Sequence, residues 1–192
     1  MAMDATAVEG GFVDAPREAA HAFRSILQAM ARPGRIETVR GGLPPAPSSV
    51  AAGVLLLTLC DPETGIYLAG DHDTSALREW ITFHCGSPLV GPSHADFALG
   101  SWETLKPVGR YRIGSSEYPD RSATLIVEMD ALEPSGAILS GPGIAREAAL
   151  SLPELQAFQA NRARFPLGFD CYFTCGDRLA ALPRSTNVTE AL

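Results

Sequence analysis

His84 and Cys85 are the only adjacent histidine and cysteine in the chain, and an imidazole beside a thiol is the pairing that activates a cysteine nucleophile. The spacing argues against it, because neighbours on a helix do not face each other. His84 also continues the face set by Leu77, Trp80 and Ile81 at positions 0, 3, 4 and 7, so it reads either as a core histidine or as a site residue. Asp71-His72-Asp73 carries metal-compatible groups, but three consecutive residues seldom converge on one ion, and a helix-entry turn accounts for both acids. No metal is expected there.

Ser140-Gly141-Pro142-Gly143-Ile144 follows a strand-like segment, and Gly141 and Gly143 could turn backbone N–H groups toward a phosphate. Pro142 removes one donor and the phosphate-loop lysine is missing, so a structural turn is the competing reading. Arg32, Arg35 and Arg184 lie in turns beside proline or glycine, where an exposed guanidinium could grip a phosphate or a partner's carboxylate. No spacing brings the three together. Cys60, Cys85, Cys171 and Cys175 form no Cys-x-x-Cys pair, which signals neither a zinc site nor a disulfide framework; four reduced, buried thiols are expected.

These residues need a scaffold, and 192 residues with 46% hydrophobic and 19% charged side chains suffice for one domain with its own core. Asp14 and Pro16 open a helix whose Ala19, Phe23, Ile26, Leu27 and Met30 form one stripe, ended by Arg32-Pro33-Gly34-Arg35. Ile36 to Arg40 reads as a short strand. After the loop Gly41–Pro47, Ser48 or Ser49 caps a second helix, apolar nearly all round, that stops at Asp61-Pro62. A strand at 66–69 and a third helix from Asp73 or Thr74 to Gly86 follow. Leu89-Val90 and 97–99 are short strand candidates. Ala123–Met129 is the best central strand because its run is nearly all apolar, and Ala137–Leu139 is expected to pair beside it. Ser151, Pro153 and Glu154 start a helix toward Arg164, and strands at 169–175 and 178–182 flank Gly176-Asp177. The alternation predicts a single-domain α/β fold with a mixed β-sheet sandwiched between helices. The domain is expected to span 1–192, with 1–10 flexible and 187–192 a C-terminal tail.

A net charge of −7 excludes a general nucleic-acid binder. The longest apolar run, Val50 to Cys60, is about half of the roughly 20 residues a membrane span needs. The segment from Met1 to Gly11 lacks the pattern of a signal peptide; a soluble, cytoplasmic protein is expected. Lys106 is the only lysine beside fourteen arginines.

From Gly11 to Thr186 the chain resembles the PhnH family, the H subunit of the bacterial carbon-phosphorus lyase system. The carriers are Gly11-Phe12-Val13-Asp14, Met30-Ala31-Arg32-Pro33-Gly34, Leu59-Cys60-Asp61-Pro62-Glu63-Thr64, Phe83-His84-Cys85-Gly86-Ser87-Pro88-Leu89 and Tyr118-Pro119-Asp120-Arg121-Ser122, then Ser140 to Ile144, Asn161, Phe165-Pro166-Leu167-Gly168-Phe169-Asp170 and Leu182-Pro183-Arg184-Ser185-Thr186. Asp120 stands where the family has glutamate, and Cys85 and Ser185 where threonine is usual, which weakens a nucleophilic role for Cys85.

The resemblance implies a fold similar to the large domain of pyridoxal-phosphate-dependent transferases and an assembly with the G, I and J subunits, with homodimers in isolation. G, H and I together support transfer of a phosphonate onto the ribose C1 of ATP with release of adenine, giving α-D-ribose 1-methylphosphonate 5-triphosphate. It implies an isolated chain without activity of its own, with surface grooves completing a nucleotide or phosphonate site; Arg32, Asp61, His84, Gly141, Gly143 and Arg184 are the candidates for binding substrate or partner. No pyridoxal phosphate is expected, since Lys106, the only candidate for its Schiff base, precedes Pro107 and has no recognisable pyridinium partner. Two other readings stay open: a stand-alone transferase or hydrolase of a phosphorylated small molecule using His84, and a phosphonate-binding module without catalysis.

Overall fold

The computed structural model describes residues 9–191. Its centre is a six-stranded sheet made of β1 (Glu37–Thr38), β2 (Ile66–Leu68), β3 (Phe97–Ser101), β4 (Thr124–Glu128), β7 (Asp170–Cys175) and β8 (Arg178–Leu182). The spatial order is β1-β8-β7-β4-β3-β2. Strands β2, β3, β4 and β7 run parallel, with Ile66, Phe97, Thr124 and Asp170 aligned in register at their amino ends. β8 returns antiparallel to β7 and carries β1 on its far side.

Strict alternation along these strands divides the core into two layers. Leu99, Ile126, Tyr172 and Leu179 face one way, onto Ile26 of α1 (Ala15–Ala31), Leu55 of α2 (Val50–Leu59) and Trp80 of α3 (Ser75–His84). Ala98, Leu125, Phe173 and Ala180 face the other, onto Trp102 of α4 (Trp102–Leu105) and Phe158 of α5 (Leu155–Arg162). The mixed sheet between helices is therefore the architecture formed.

Ala137–Leu139 does not join that sheet. It belongs to β5 (Ala137–Ser140), which pairs antiparallel with β6 (Ala148–Leu150) and β9 (Asn187–Thr189) in a separate three-stranded sheet. Leu139, Leu150 and Val188 cover the second core layer beside α5, a place β4 cannot offer because β3 and β7 flank it. The stretch expected as a tail from 187 thus supplies a strand, because Val188 buries its side chain there. Leu89 makes only an isolated bridge to Ile66.

The uniformly apolar α2 has an explanation in what covers its outer side. Gly53 lies against the Pro44 ring and Gly42 against Val54 and Leu57, each at a distance a Cβ would close to 3.3 Å or less. The loop is held by the N-terminal segment, with Leu43 N–H donating to Gly10 O at 2.8 Å. Of the stretch 1–10 expected to be flexible, 1–8 lies outside the described residues, while the Glu9 carbonyl accepts from Trp80 Nε1 at 3.1 Å. No helix among the described residues is long and apolar enough to cross a membrane.

Candidate functional site at the amino edge of the sheet

Segments far apart in sequence meet where the parallel strands begin. Arg184 follows the end of β8 and reaches across the start of β7: its Nε and Nη2 donate to Asp170 Oδ1 and Oδ2 at 3.1 and 2.6 Å, and its backbone N–H to Asp170 Oδ1 at 2.8 Å. Nη1 donates to Pro119 O at 2.8 Å and Nη2 to Ser122 Oγ. Arg184 is therefore not the exposed guanidinium expected from its turn; its side chain is 12% exposed. A planar fork with five donors suits such a bidentate bond and still reaches two further acceptors.

The seam continues along the edge. Asn161 donates from Nδ2 to Phe169 O at 2.8 Å and accepts from Phe169 N–H at 3.0 Å. Gly168, at φ +129°, approaches Asn161 so closely that a Cβ would lie 2.5 Å from Oδ1. Asp96 accepts from Gly65 N–H at 2.8 Å and pairs with Arg112. Asp61 accepts from Glu63 N–H and Thr64 Oγ1 at 2.9 and 2.7 Å, and these bonds hold its carboxyl below the usual range. Its carbonyl accepts from Ser87 Oγ at 2.8 Å. Asp61 is thus exposed at a turn that its own side chain builds.

Gly141 and Gly143 lie in a tight turn closed by Ile144 N–H to Gly141 O at 3.2 Å. Both have positive φ, and a Cβ on Gly143 would meet Ala31 O at 2.1 Å, while one on Gly141 would meet Ser185 O at 3.3 Å. The glycines let this turn close against the end of α1 and the 185–187 segment, so close packing accounts for both. Arg32 caps α1, its backbone N–H on Gln28 O at 3.0 Å; its side chain is exposed and has no carboxylate within ion-pair distance among the described residues. Arg35 pairs with Glu37. The glycine turn thus packs against Ala31 and Ser185, the sequence neighbours of Arg32 and Arg184, through contacts no spacing announced. Beside Arg184 a shallow depression of about 360 Å³ is lined by Pro119, Asp120, Phe165, Pro166, Pro183 and Ser185.

His84 and Cys85 do not act on each other. His84 packs against a tilted Trp80 ring and edge-to-face against Phe83, at centroid distances of 5.0 and 4.9 Å, with Nε2 3.2 Å from Glu9 O. Gly11 crosses the ring so tightly that a Cβ would fall 2.5 Å from Nδ1. Cys85 turns inward and donates to Leu56 O at 3.7 Å, and burial pushes its thiol up to about 12. A thiol that stays protonated at neutral pH is a packing group, not a nucleophile. All four cysteines are free; Cys60, Cys85 and Cys171 are buried and Cys175 is half-buried.

Asp71-His72-Asp73 forms the helix-entry turn: Asp73 pairs with Arg78 and Thr74 caps α3. Among the described residues no group of three His, Cys, Asp or Glu side chains is placed to hold a metal. Lys106 Nζ lies 2.9 Å from Glu103 and 3.5 Å from Glu154, and these carboxylates raise its pKa.

The opposite, carboxyl edge holds an acid that the sequence reading passed over. Glu128 ends β4, accepting from Ser49 N–H at 2.7 Å and Thr174 Oγ1 at 2.9 Å, and so ties the start of α2 to β7. His72 is buried nearby with Nε2 unpaired. Desolvation lowers its pKa, partly offset by the charges of Glu128 and Asp71. An acid closing an apolar strand beside a Ser-Ser helix start was the only available signal.

The comparisons with known proteins agree with this arrangement of motifs. Residues 10–189 match the family described as bacterial phosphonate metabolism protein (PhnH). A relative from Rhizobium meliloti (strain 1021), named α-D-ribose 1-methylphosphonate 5-triphosphate synthase subunit PhnH, is 37% identical over 190 residues, 93% of this chain and 94% of its own length. The chain belongs to the PhnH family of bacterial phosphonate metabolism proteins.

Proposed function

We propose that this chain is the H subunit of a cytoplasmic carbon-phosphorus lyase core complex. It would assemble there with the G, I and J subunits and, together with G and I, support transfer of a phosphonate onto the ribose C1 of ATP with release of adenine, giving α-D-ribose 1-methylphosphonate 5-triphosphate. The observation that carries this reading is the match to the PhnH family over 10–189 together with a relative named as a synthase subunit over nearly its full length. The geometry supports a subunit without turnover of its own. Arg184 and Asp170 bond to each other, His84 Nε2 lies on Glu9 O and Cys85 donates to Leu56 O, so among the described residues His84 and Cys85 do not form a nucleophile–base pair.

The same reading includes homodimers of the free chain and no pyridoxal phosphate. The support for the latter is Lys106, whose pKa is raised by two carboxylates, whereas a Schiff-base lysine works with a lowered one. A stand-alone transferase or hydrolase using His84 draws no support from a ring packed against Trp80 and crossed closely by Gly11.

The test is co-expression of a tagged chain with the G, I and J subunits, then purification and assay of adenine release from ATP and methylphosphonate. A stoichiometric complex whose adenine release requires this chain is the expected result. Turnover by the chain alone, or no complex at all, overturns the reading.

A further inference from the structure

Helix α1 turns its largest apolar side chains away from the core. Its buried residues are Ala22, Ile26 and Ala29, whereas Phe23 and Leu27 stand 49% and 50% exposed. Pro16, Ala20 and Ala31 are exposed as well. At 3.6 residues per turn these five positions fall within an arc of about 80° and form a row about 22 Å long. Val13, just ahead of the helix, is 96% exposed. Seven large apolar side chains are exposed among the described residues, and three of them, Val13, Phe23 and Leu27, lie in this row or at its start. Single exposed apolar residues need no explanation, but a contiguous row marks a contact surface.

The row has cations along one side and no acid within it. Arg17 and Arg24 are exposed on that side, and Arg32 follows just past the helix end. Arg24 and Arg32 have no carboxylate within ion-pair distance among the described residues, and Arg17 reaches only Asp14, at 3.8 Å. Glu18, the one acid in the helix, lies on the far side of it, where Oε2 accepts from Asp14 N–H at 2.9 Å. On the other side of the row stand Ala19 and Met30, both half-buried. A second copy does not balance these charges. An antiparallel two-fold pair of α1 helices centred on Phe23 and Leu27 sets arginine side against arginine side, and a parallel pair sets each arginine side against Ala19 and Met30. Neither brings a carboxylate to Arg24. The complement of this face is an apolar helix stripe bordered by acids.

We infer that the outer face of α1 is a docking site for another subunit of the complex, which lays the apolar stripe of an acidic amphipathic helix along Ala20, Phe23 and Leu27 and sets carboxylates against Arg17 and Arg24. Burial of Phe23 and Leu27 supplies the attachment, and the carboxylates fix the direction and register of the incoming helix. The inference rests on the subunit reading above.

The test uses the complex formed with the G, I and J subunits. Leu27→Gln and Arg24→Glu change exposed positions to good helix formers. They are expected to weaken capture of the partners about ten-fold or more, with Leu27→Met and Arg24→Lys within about three-fold of native. Arg24→Lys also identifies the occupant, because carbodiimide joins the new amine to a carboxylate within contact. Lys106, the only native lysine, ends α4 on the other side of the sheet, so the native complex is the control. The expected product links position 24 to an acid of G, I or J. Oxidative footprinting of the native chain needs no variant: Phe23 and Leu27 should be labelled in the free chain and protected about ten-fold in the complex. Native capture by Leu27→Gln and Arg24→Glu, or footprints unaltered by the partners, overturns the docking face alone. A link from position 24 to a second copy of this chain, or no link at all, also overturns it. Failure of the native chain to form a complex overturns the subunit reading and this one with it.

Discussion

Arg184 and Asp170 meet in a bidentate bond, with Nε and Nη2 on the two carboxylate oxygens at 3.1 and 2.6 Å and the Arg184 backbone N–H on the same carboxylate. Both side chains are largely withdrawn from solvent, at 12% and 23% exposure. Removing one member leaves the other without its counter-charge, and the strand β7, the end of β8 and the Pro119–Ser122 turn lose their common anchor.

Arg184→Met and Asp170→Asn are therefore expected to destabilise the chain by about 3–5 kcal/mol each. Arg184→Lys should recover little, because an ammonium cannot reproduce the fork. Urea unfolding of the single and double variants measures this, and strong non-additivity is expected, since the two residues share one bond network. Additive losses would show that the pair is not the unit.

His84→Ala should leave adenine release by the assembled complex within about two-fold of native, because the ring contacts the N-terminal segment rather than a reacting group. Its effect should appear in stability and in faster exchange near Gly10 and Gly11. A large fall in turnover with the complex intact would restore a catalytic histidine.

Two glycines with positive φ should respond differently to alanine. At Gly176, φ +61°, nothing lies within 4 Å of the added carbon, so only the backbone cost of about 1 kcal/mol applies. At Gly143 the same carbon meets Ala31 O at 2.1 Å, and a loss of about 3 kcal/mol or more is expected. Thermal unfolding of the two variants gives the comparison; equal losses would mean that the turn is free to move off α1.

Stability should fall at both ends of the pH scale. His72 is held below its ordinary pKa by burial, so below about pH 6.5 the unfolded chain takes up a proton that the folded chain refuses, and stability drops with falling pH. Cys85 is pushed up to about 12 by burial, so above the ordinary thiol pKa the unfolded chain loses a proton first and stability drops with rising pH. Urea midpoints across pH should show both limbs, with His72→Gln flattening the acid limb and Cys85→Ala the alkaline one. Limbs unchanged in these variants would assign them to other groups.

Thiol labelling should distinguish one cysteine from three. Burial raises the pKa of Cys60, Cys85 and Cys171, while Cys175 is half-buried. A chromogenic disulfide is expected to modify Cys175 first and the others only on unfolding; rapid reaction at all four sites in the native chain would contradict the buried positions.

The long elements could be read from sequence because each rests on local pattern. The stripe from Ala19 to Met30 located α1, although its buried face is Ala22, Ile26 and Ala29 while Phe23 and Leu27 stand exposed; of the two cap candidates offered for each of the next helices Ser49 caps α2 and Thr74 caps α3, and the apolar run at 123–129 located β4. The small sheet could not be read this way. A short apolar segment such as Ala137–Leu139 carries no record of its partner, and Asn187–Thr189 has one apolar residue, whose burial is decided by β5 and α5. The same division holds at the amino edge. Arg184 stood out between Pro183 and Ser185, yet its character depends on Asp170, Pro119 and Ser122, which only the completed sheet brings within reach.

Trp80 and Trp102 are the only two tryptophans, and they lie on opposite sides of the central sheet. Trp80 donates to Glu9 O beneath the N-terminal segment, and Trp102 donates to Glu154 Oε2 at 2.8 Å beside α5. The chain thus carries two intrinsic optical probes, one for each layer. With Trp102→Phe the remaining emission follows the cover over α2 and α3, and with Trp80→Phe it follows α4 and α5, so unlabelled protein can show which layer loosens first.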